Sequence, residues 1–140
     1  MSPVLVDSNV LLDLFTRDAR WLDWSTDALA QAADNSRLVI NAVIFAEISV
    51  RFSRIEELDS ALTATDFSRE PIPFDATFLA AKAFQTYRLR GGSRHSTLPD
   101  FFIGAHAATQ GYRLLTRDPR RYRSYFPTVP LIAPKSGEDR

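Results

Sequence analysis

Pro3-Val4-Leu5-Val6-Asp7-Ser8-Asn9-Val10-Leu11-Leu12 decides the fold. Its opening apolar run shows no polar alternation, so it reads as a strand buried on both faces. An acid, Asp7, closes the run. Ser8 or Asn9 can then cap a helix that carries Val10, Leu11, Leu12 and Leu14. The pattern repeats at Leu38-Val39-Ile40, where a second apolar strand is followed at once by Asn41, another cap. It returns at Tyr112 to Leu115, followed by the turn Thr116-Arg117-Asp118-Pro119 and a short basic helix from Arg120 to Tyr125.

Helices fill the intervals. Trp21 to Ala33 has an inner stripe of Leu22, Ser25, Leu29 and Ala32 or Ala33, and Asn35-Ser36 breaks it. Ala42 to Phe52 is almost wholly apolar apart from Glu47, Ser49 and Arg51. Ile55 to Ala64 turns Leu58 and Leu62 inward. Pro71-Ile72-Pro73-Phe74 cannot be helical and reads as an extended linker or edge strand. Asp75 caps a helix from Ala76 to about Leu89. A polar Gly-containing loop leads to Leu98 to Gln110, with Pro99 in its first turn and Gly111 at its end. Val129 to Ile132 reads as a last strand. Short apolar strands alternating with helices imply an α/β fold, a three-layer α/β/α sandwich around a mostly parallel sheet. One domain over residues 1–134 is expected, with 135–140 as a flexible tail.

Composition narrows the chemistry. The chain has 140 residues, 45% of them hydrophobic, enough for one domain with a full core. It has no cysteine, which excludes disulfides, thiolate zinc, iron–sulfur clusters and cysteine nucleophiles. No signal-like N-terminus or membrane-length apolar run is evident, so a cytoplasmic protein is expected. The net charge is zero, yet residues 1–70 carry −6 and residues 71–140 carry +6. Of 17 basic residues, 15 are arginine, whose fork suits phosphate or carboxylate. An anionic partner and simple pairing of the two halves are equal readings of that asymmetry.

Four acids sit in surroundings unsuited to acids: Asp7, Glu47, Asp100 and Asp118. In parallel α/β sheets, ligands bind beyond the carboxyl ends of the strands. Asp7 and Asp118 lie there directly, and helices returning to the sheet can bring Glu47 and Asp100 to the same end. Each has a bland alternative. Asp7 could cap a helix, Glu47 could pair with Arg51, Asp100 could serve a helix dipole, and Asp118 could shape a turn. Together in one pocket they would raise each other's pKa, and a divalent cation relieves that. Oxygen-only ligands favour Mg²⁺ or Mn²⁺ over zinc.

Val6-Asp7-Ser8-Asn9-Val10-Leu11-Leu12, Asn41 through Glu47, Leu98-Pro99-Asp100 and Leu115-Thr116-Arg117-Asp118-Pro119-Arg120-Arg121-Tyr122 closely resemble the PIN-domain proteins, particularly VapC-type toxins of bacterial toxin–antitoxin pairs. The first and last motifs are specific, the middle two weaker. The resemblance implies an α/β/α sandwich and Mg²⁺- or Mn²⁺-dependent endoribonuclease activity. It implies that Asp7, Glu47, Asp100 and Asp118 are the catalytic and metal-binding acids. Thr116 matches the family's polar position before the last acid, and Ser8, Asn9 and Thr116 are expected to meet the RNA. A homodimer and a small cognate antitoxin are implied as well, with a higher assembly between them.

Two basic clusters flank these acids. Arg88, Arg90, Arg94 and His95 precede Asp100, and Arg117, Arg120, Arg121 and Arg123 follow Asp118. Arg94, Arg117, Arg120 and Arg121 are candidate phosphate contacts, set against two merely solvated basic faces. Tyr122 and Tyr125 are read as packing residues, and His106 as structural. Two competitors remain. An aspartate-dependent phosphatase or receiver domain would want a lysine near the phosphate, and only Lys82 and Lys135 exist. An inactive PIN-like module acting through a protein partner is the other.

Overall fold

The structure, a computed structural model, describes residues 2–92 and 98–135. Among them, five short strands form one sheet: β1 (Val4–Val6), β2 (Leu38–Ile40), β3 (Phe67–Arg69), β4 (Arg113–Leu115) and β5 (Leu131–Ile132), in the order β3-β2-β1-β4-β5. Every neighbouring pair is parallel. The helices are α1 (Ser8–Thr16), α2 (Leu22–Asn35), α3 (Ala42–Ser49), α4 (Ile55–Leu62), α5 (Phe74–Leu89), α6 (Leu98–Gln110) and α7 (Arg120–Tyr125). This five-strand parallel sheet flanked by helices is the α/β/α sandwich expected.

The central strands β1 and β2 are buried at every position, as unbroken apolar runs should be. Val4, Leu5 and Val6 meet Ile44, Ile48, Phe101, Ile103, Leu114 and Leu115 in a single core. Gly111, with φ +68°, ends α6 in the left-handed region that favours glycine. Among the described residues no helix is long and apolar enough to cross a membrane.

Three readings of the sequence need correction. The cap of α1 is Asp7 itself, whose carboxylate accepts the Ser8 N–H, rather than Ser8 or Asn9. Pro71 to Pro73 is the irregular linker expected, but Phe74 already belongs to α5, whose cap position is Pro73 rather than Asp75, and an edge strand the sequence did not show, β3, precedes it. Phe67-Ser68-Arg69 carries one apolar side chain, and its partly exposed burial pattern left no run to read. Arg51 lies beyond the end of α3, so no helical pairing with Glu47 forms. Arg94, His95 and residues 136–140 of the expected tail lie outside the described residues.

The strand order places the site. From β1 the chain runs to β2 and β3 on one side, then crosses to β4 and β5 on the other. The order therefore reverses between β1 and β4. In open α/β sheets the crevice at such a switch point, beyond the strands' carboxyl ends, is where ligands bind.

Candidate active site

Asp7 stands at that switch point. It leaves β1 and caps α1, and its own N–H donates to the Leu115 carbonyl of β4 at 2.9 Å. Its side chain is 3% exposed. Oδ1 accepts from the Ser8 N–H at 2.8 Å. Oδ2 accepts from Thr116 Oγ1 at 2.8 Å, the Tyr122 hydroxyl at 3.0 Å and Asn9 Nδ2 at 3.5 Å. All of these donors are neutral. Burial, and secondarily the nearby Asp100 charge, pushes the Asp7 carboxyl up to about 7. The Thr116 and Tyr122 hydrogen bonds oppose that rise, and Glu47 adds to it.

Glu47 arrives on α3 and accepts a hydrogen bond from Ser8 Oγ at 2.8 Å. Its carboxyl is raised by burial and by Asp100, against the Ser8 bond. Asp100 arrives in the first turn of α6 and accepts from Arg121 Nη1 at 2.6 Å. Burial raises its pKa most, Arg121 lowers it, and Asp118 raises it again. Asp118 is on the rim, 59% exposed, beside Arg120 Nε at 3.6 Å. Its N–H donates to Thr116 Oγ1 at 3.1 Å. Asp7, Glu47 and Asp100 therefore feel one another's charge, and Asp118 acts on Asp100.

The polar residues expected to touch substrate are placed mostly inside this network. Thr116 is fully buried: it donates to Asp7 and accepts from Asp118 N–H and Asn9 Nδ2. Ser8 is buried between Asp7 and Glu47. Asn9 accepts the Arg117 N–H at 3.2 Å. Ser8 and Thr116 are thus buried with hydrogen bonds made inside the network, and Asn9 is half-buried at its edge. Arg117 is turned away as well, with Nε and Nη2 on Asp13 at 2.8 and 3.1 Å. Arg121 sits on Asp100 and over the Tyr87 ring. Arg120 keeps its guanidinium in solvent, 83% exposed. Lys82 lies over the Phe78 ring on α5.

The sequence reading missed two participants. Tyr122, taken for packing, is buried, but its hydroxyl also reaches Asp7. Asp13, 1% exposed, holds Arg117 and Ser25 Oγ. Its signal was available: Asp13 falls three after Val10, on the inward stripe of α1. His106 is buried against Asn41, as a structural histidine should be.

The donor set suits a hard divalent cation by chemistry: carboxylate oxygens, mutually repelling, with Arg121 on Asp100 and, at 3.6 Å in solvent, Arg120 beside Asp118. As the side chains lie, each buried carboxylate is turned onto a protein partner. Among the described residues no three acidic or histidine side chains stand so that they could hold an ion without turning.

A family model described as "PIN domain" matches residues 4–126. No curated protein matches the sequence. Among solved structures, the chain resembles one in VapBC2 from Rickettsia felis bound to a promoter DNA fragment. The TM-score is 0.72 and the identity 16%, over 95% of this chain and 99% of that one. It resembles one in VapBC-1 from nontypeable Haemophilus influenzae, with TM-score 0.69 and 16% identity over 94% and 97%. A chain of a toxin–antitoxin complex from Klebsiella pneumoniae gives TM-score 0.67 and 21% identity over 94% and 98%. At these identities the structures speak for the fold.

Proposed function

The chain belongs to the PIN domain family, and on that premise we propose that it is a divalent-metal-dependent endoribonuclease, the toxin of a toxin–antitoxin pair. PIN domains are typically nucleases that use divalent ions. One observation carries the reading for this chain: buried Asp7 and half-buried Glu47 and Asp100 come from three elements and share a charge field at the switch point, where Asp7 and Glu47 are bonded to neutral donors and Asp100 to Arg121.

In this reading Asp7, Asp100 and Asp118 hold Mg²⁺ or Mn²⁺, with Glu47 as a further direct or water-mediated ligand. The ion, when bound, supplies Lewis acidity toward a phosphodiester and a more acidic water. The protein's own part is preorganisation. Thr116 and Tyr122 orient Oδ2 of Asp7, and Ser8 joins Asp7 to Glu47. Arg121 restrains Asp100. Arg120 is exposed beside Asp118, and in this reading it meets an RNA phosphate. Water attacks the phosphorus and the 3′ oxygen leaves, giving 5′-phosphate and 3′-hydroxyl ends.

The solved toxin–antitoxin complexes of the same fold favour a small antitoxin as partner. A homodimer belongs to the same reading, and Phe74, Phe78 and Leu89 on the outer face of α5 offer it an apolar surface. The deciding experiment is RNA cleavage by antitoxin-free protein with Mg²⁺ or Mn²⁺ and with EDTA. Cleavage only with metal is expected. Undiminished cleavage in EDTA overturns the metal mechanism, and no cleavage under any condition favours the inactive binding module.

A further inference from the structure

Arg117 lies between two residues of the site, Thr116 and Asp118, in the turn from β4 to α7. Its side chain runs the other way, into the body of the protein. Nε and Nη2 both reach the Asp13 carboxylate, at 2.8 and 3.1 Å. Asp13 also accepts Ser25 Oγ of α2 at 2.7 Å. The guanidinium carbon lies 5.6 Å from the centre of the Trp21 ring. The backbone joins in: the Arg117 N–H donates to Asn9 Oδ1 at 3.2 Å, and Asn9 Nδ2 reaches Thr116 Oγ1 at 3.3 Å.

We propose that Asp13 and Arg117 form a positioning pair that fixes the Thr116–Asp118 turn against α1, and so sets Asp118 relative to Asp7. This rests on the nuclease reading above. Both ends of the tie are close to the acids in sequence: Asp13 is on the helix that Asp7 caps, and Arg117 precedes Asp118. A fork on a carboxylate restrains direction as well as distance, which a lysine could not do. Asp118 needs such help. Its side chain is mostly exposed, and its backbone is held by one hydrogen bond to Thr116. Outer partners of this kind typically change metal affinity or activity by about 10–100-fold when removed.

A buried pair also contributes to folding, so the test must separate the two roles. Arg117→Met alone leaves the Asp13 charge buried, and its melting temperature should fall. The double variant Asp13→Val with Arg117→Met removes the charge and the tie together and should melt close to wild type. In the metal-free double variant, hydrogen exchange at the Arg117-position and Asp118 amides should run at least about tenfold faster than in wild type. The Mn²⁺ concentration giving half the maximal rise in melting temperature should increase about tenfold, and kcat for RNA at fixed Mn²⁺ should fall about 10–100-fold. KM and the salt dependence of RNA binding should hold.

Wild-type exchange and wild-type Mn²⁺ response in a stable double variant would overturn the proposal, as would a salt slope lowered by about one in Arg117→Met, which marks a phosphate contact. Wild-type protein that neither binds Mn²⁺ nor cleaves would end the nuclease reading instead. The exchange measurement, made without metal or RNA, would still decide whether the pair holds the turn.

Discussion

Asp7 caps α1 and Asp13 lies within it, both almost fully buried, and the protein treats them in opposite ways. Asp13 receives a forked guanidinium and a serine hydroxyl. Asp7 receives neutral donors only, with Asp100 and Glu47 close enough to raise its pKa. Burying a carboxylate is costly unless it is paired, so the first arrangement is closed and the second is left with a demand for positive charge. The contrast separates a structural acid from a candidate functional one more sharply than burial does.

The strongest way to break this contrast is to remove one of the repelling neighbours. Asp100→Asn should reduce cleavage by about 100- to 1000-fold, the scale of losing one directly acting electrostatic group. The metal-free protein should melt at the same temperature or higher, because a repulsion is relieved and Arg121, a third exposed, can be solvated. Initial rates and thermal melts measure both. A large loss of stability would make Asp100 a helix-end fixture.

A smaller effect is expected from pH. The Asp7 carboxyl is at about 7 in the folded protein against 3.8 ordinarily. Between those values the folded state keeps a proton that the unfolded chain releases. Stability from this group is therefore full below about 3.8 and is lost as pH rises through about 7. Glu47 and Asp100, also raised, act with the same sign. Metal-free protein should lose on the order of 2 kcal/mol between pH 5 and 8, and Asp7→Asn should flatten much of that decline. Denaturant midpoints at several pH values give the answer, and a rising profile in the wild type would contradict the account of Asp7.

The least effect on the fold belongs to Arg120, paired loosely with Asp118 at 3.6 Å in solvent. Arg120→Ala should leave the melting temperature unchanged while RNA binding loses about one unit of salt slope, uniformly across sequences. If the slope stays put, Arg120 is surface charge and no more. Arg120 and Arg117 would then differ only in what they hold, not in whether they meet RNA.

Much of this is legible in the sequence. The apolar runs at Val4–Val6 and Leu38–Ile40 became central strands because burial on both faces demands such runs. Helix α6 and helix α7 begin and end where Pro99, Gly111 and Pro119 imply. Strand β3 was not readable, since an edge strand bonded on one side tolerates Ser68 and Arg69. The four acids stood out by their apolar neighbours. Their grouping did not follow from that, nor did Tyr122's reach to Asp7, because both depend on which strand ends the fold sets side by side.

The arginines show the boundary best. Local sequence carries hydrophobic period, caps and breakers, each a matter of a few residues, and these determined the α/β class and the placement of Asp7 and Asp118 at strand ends. Partnership between distant charges is a different kind of fact. Arg117, Arg120 and Arg121 are nearly adjacent in sequence, yet one is tied to α1, one lies in solvent and one rests on α6. The turn into a short helix sends successive side chains in different directions, and only packing against elements about 20 and 100 residues away chose Asp100 for Arg121 and Asp13 for Arg117. A fork's target is a property of three-dimensional distance, so the tertiary structure alone decided it.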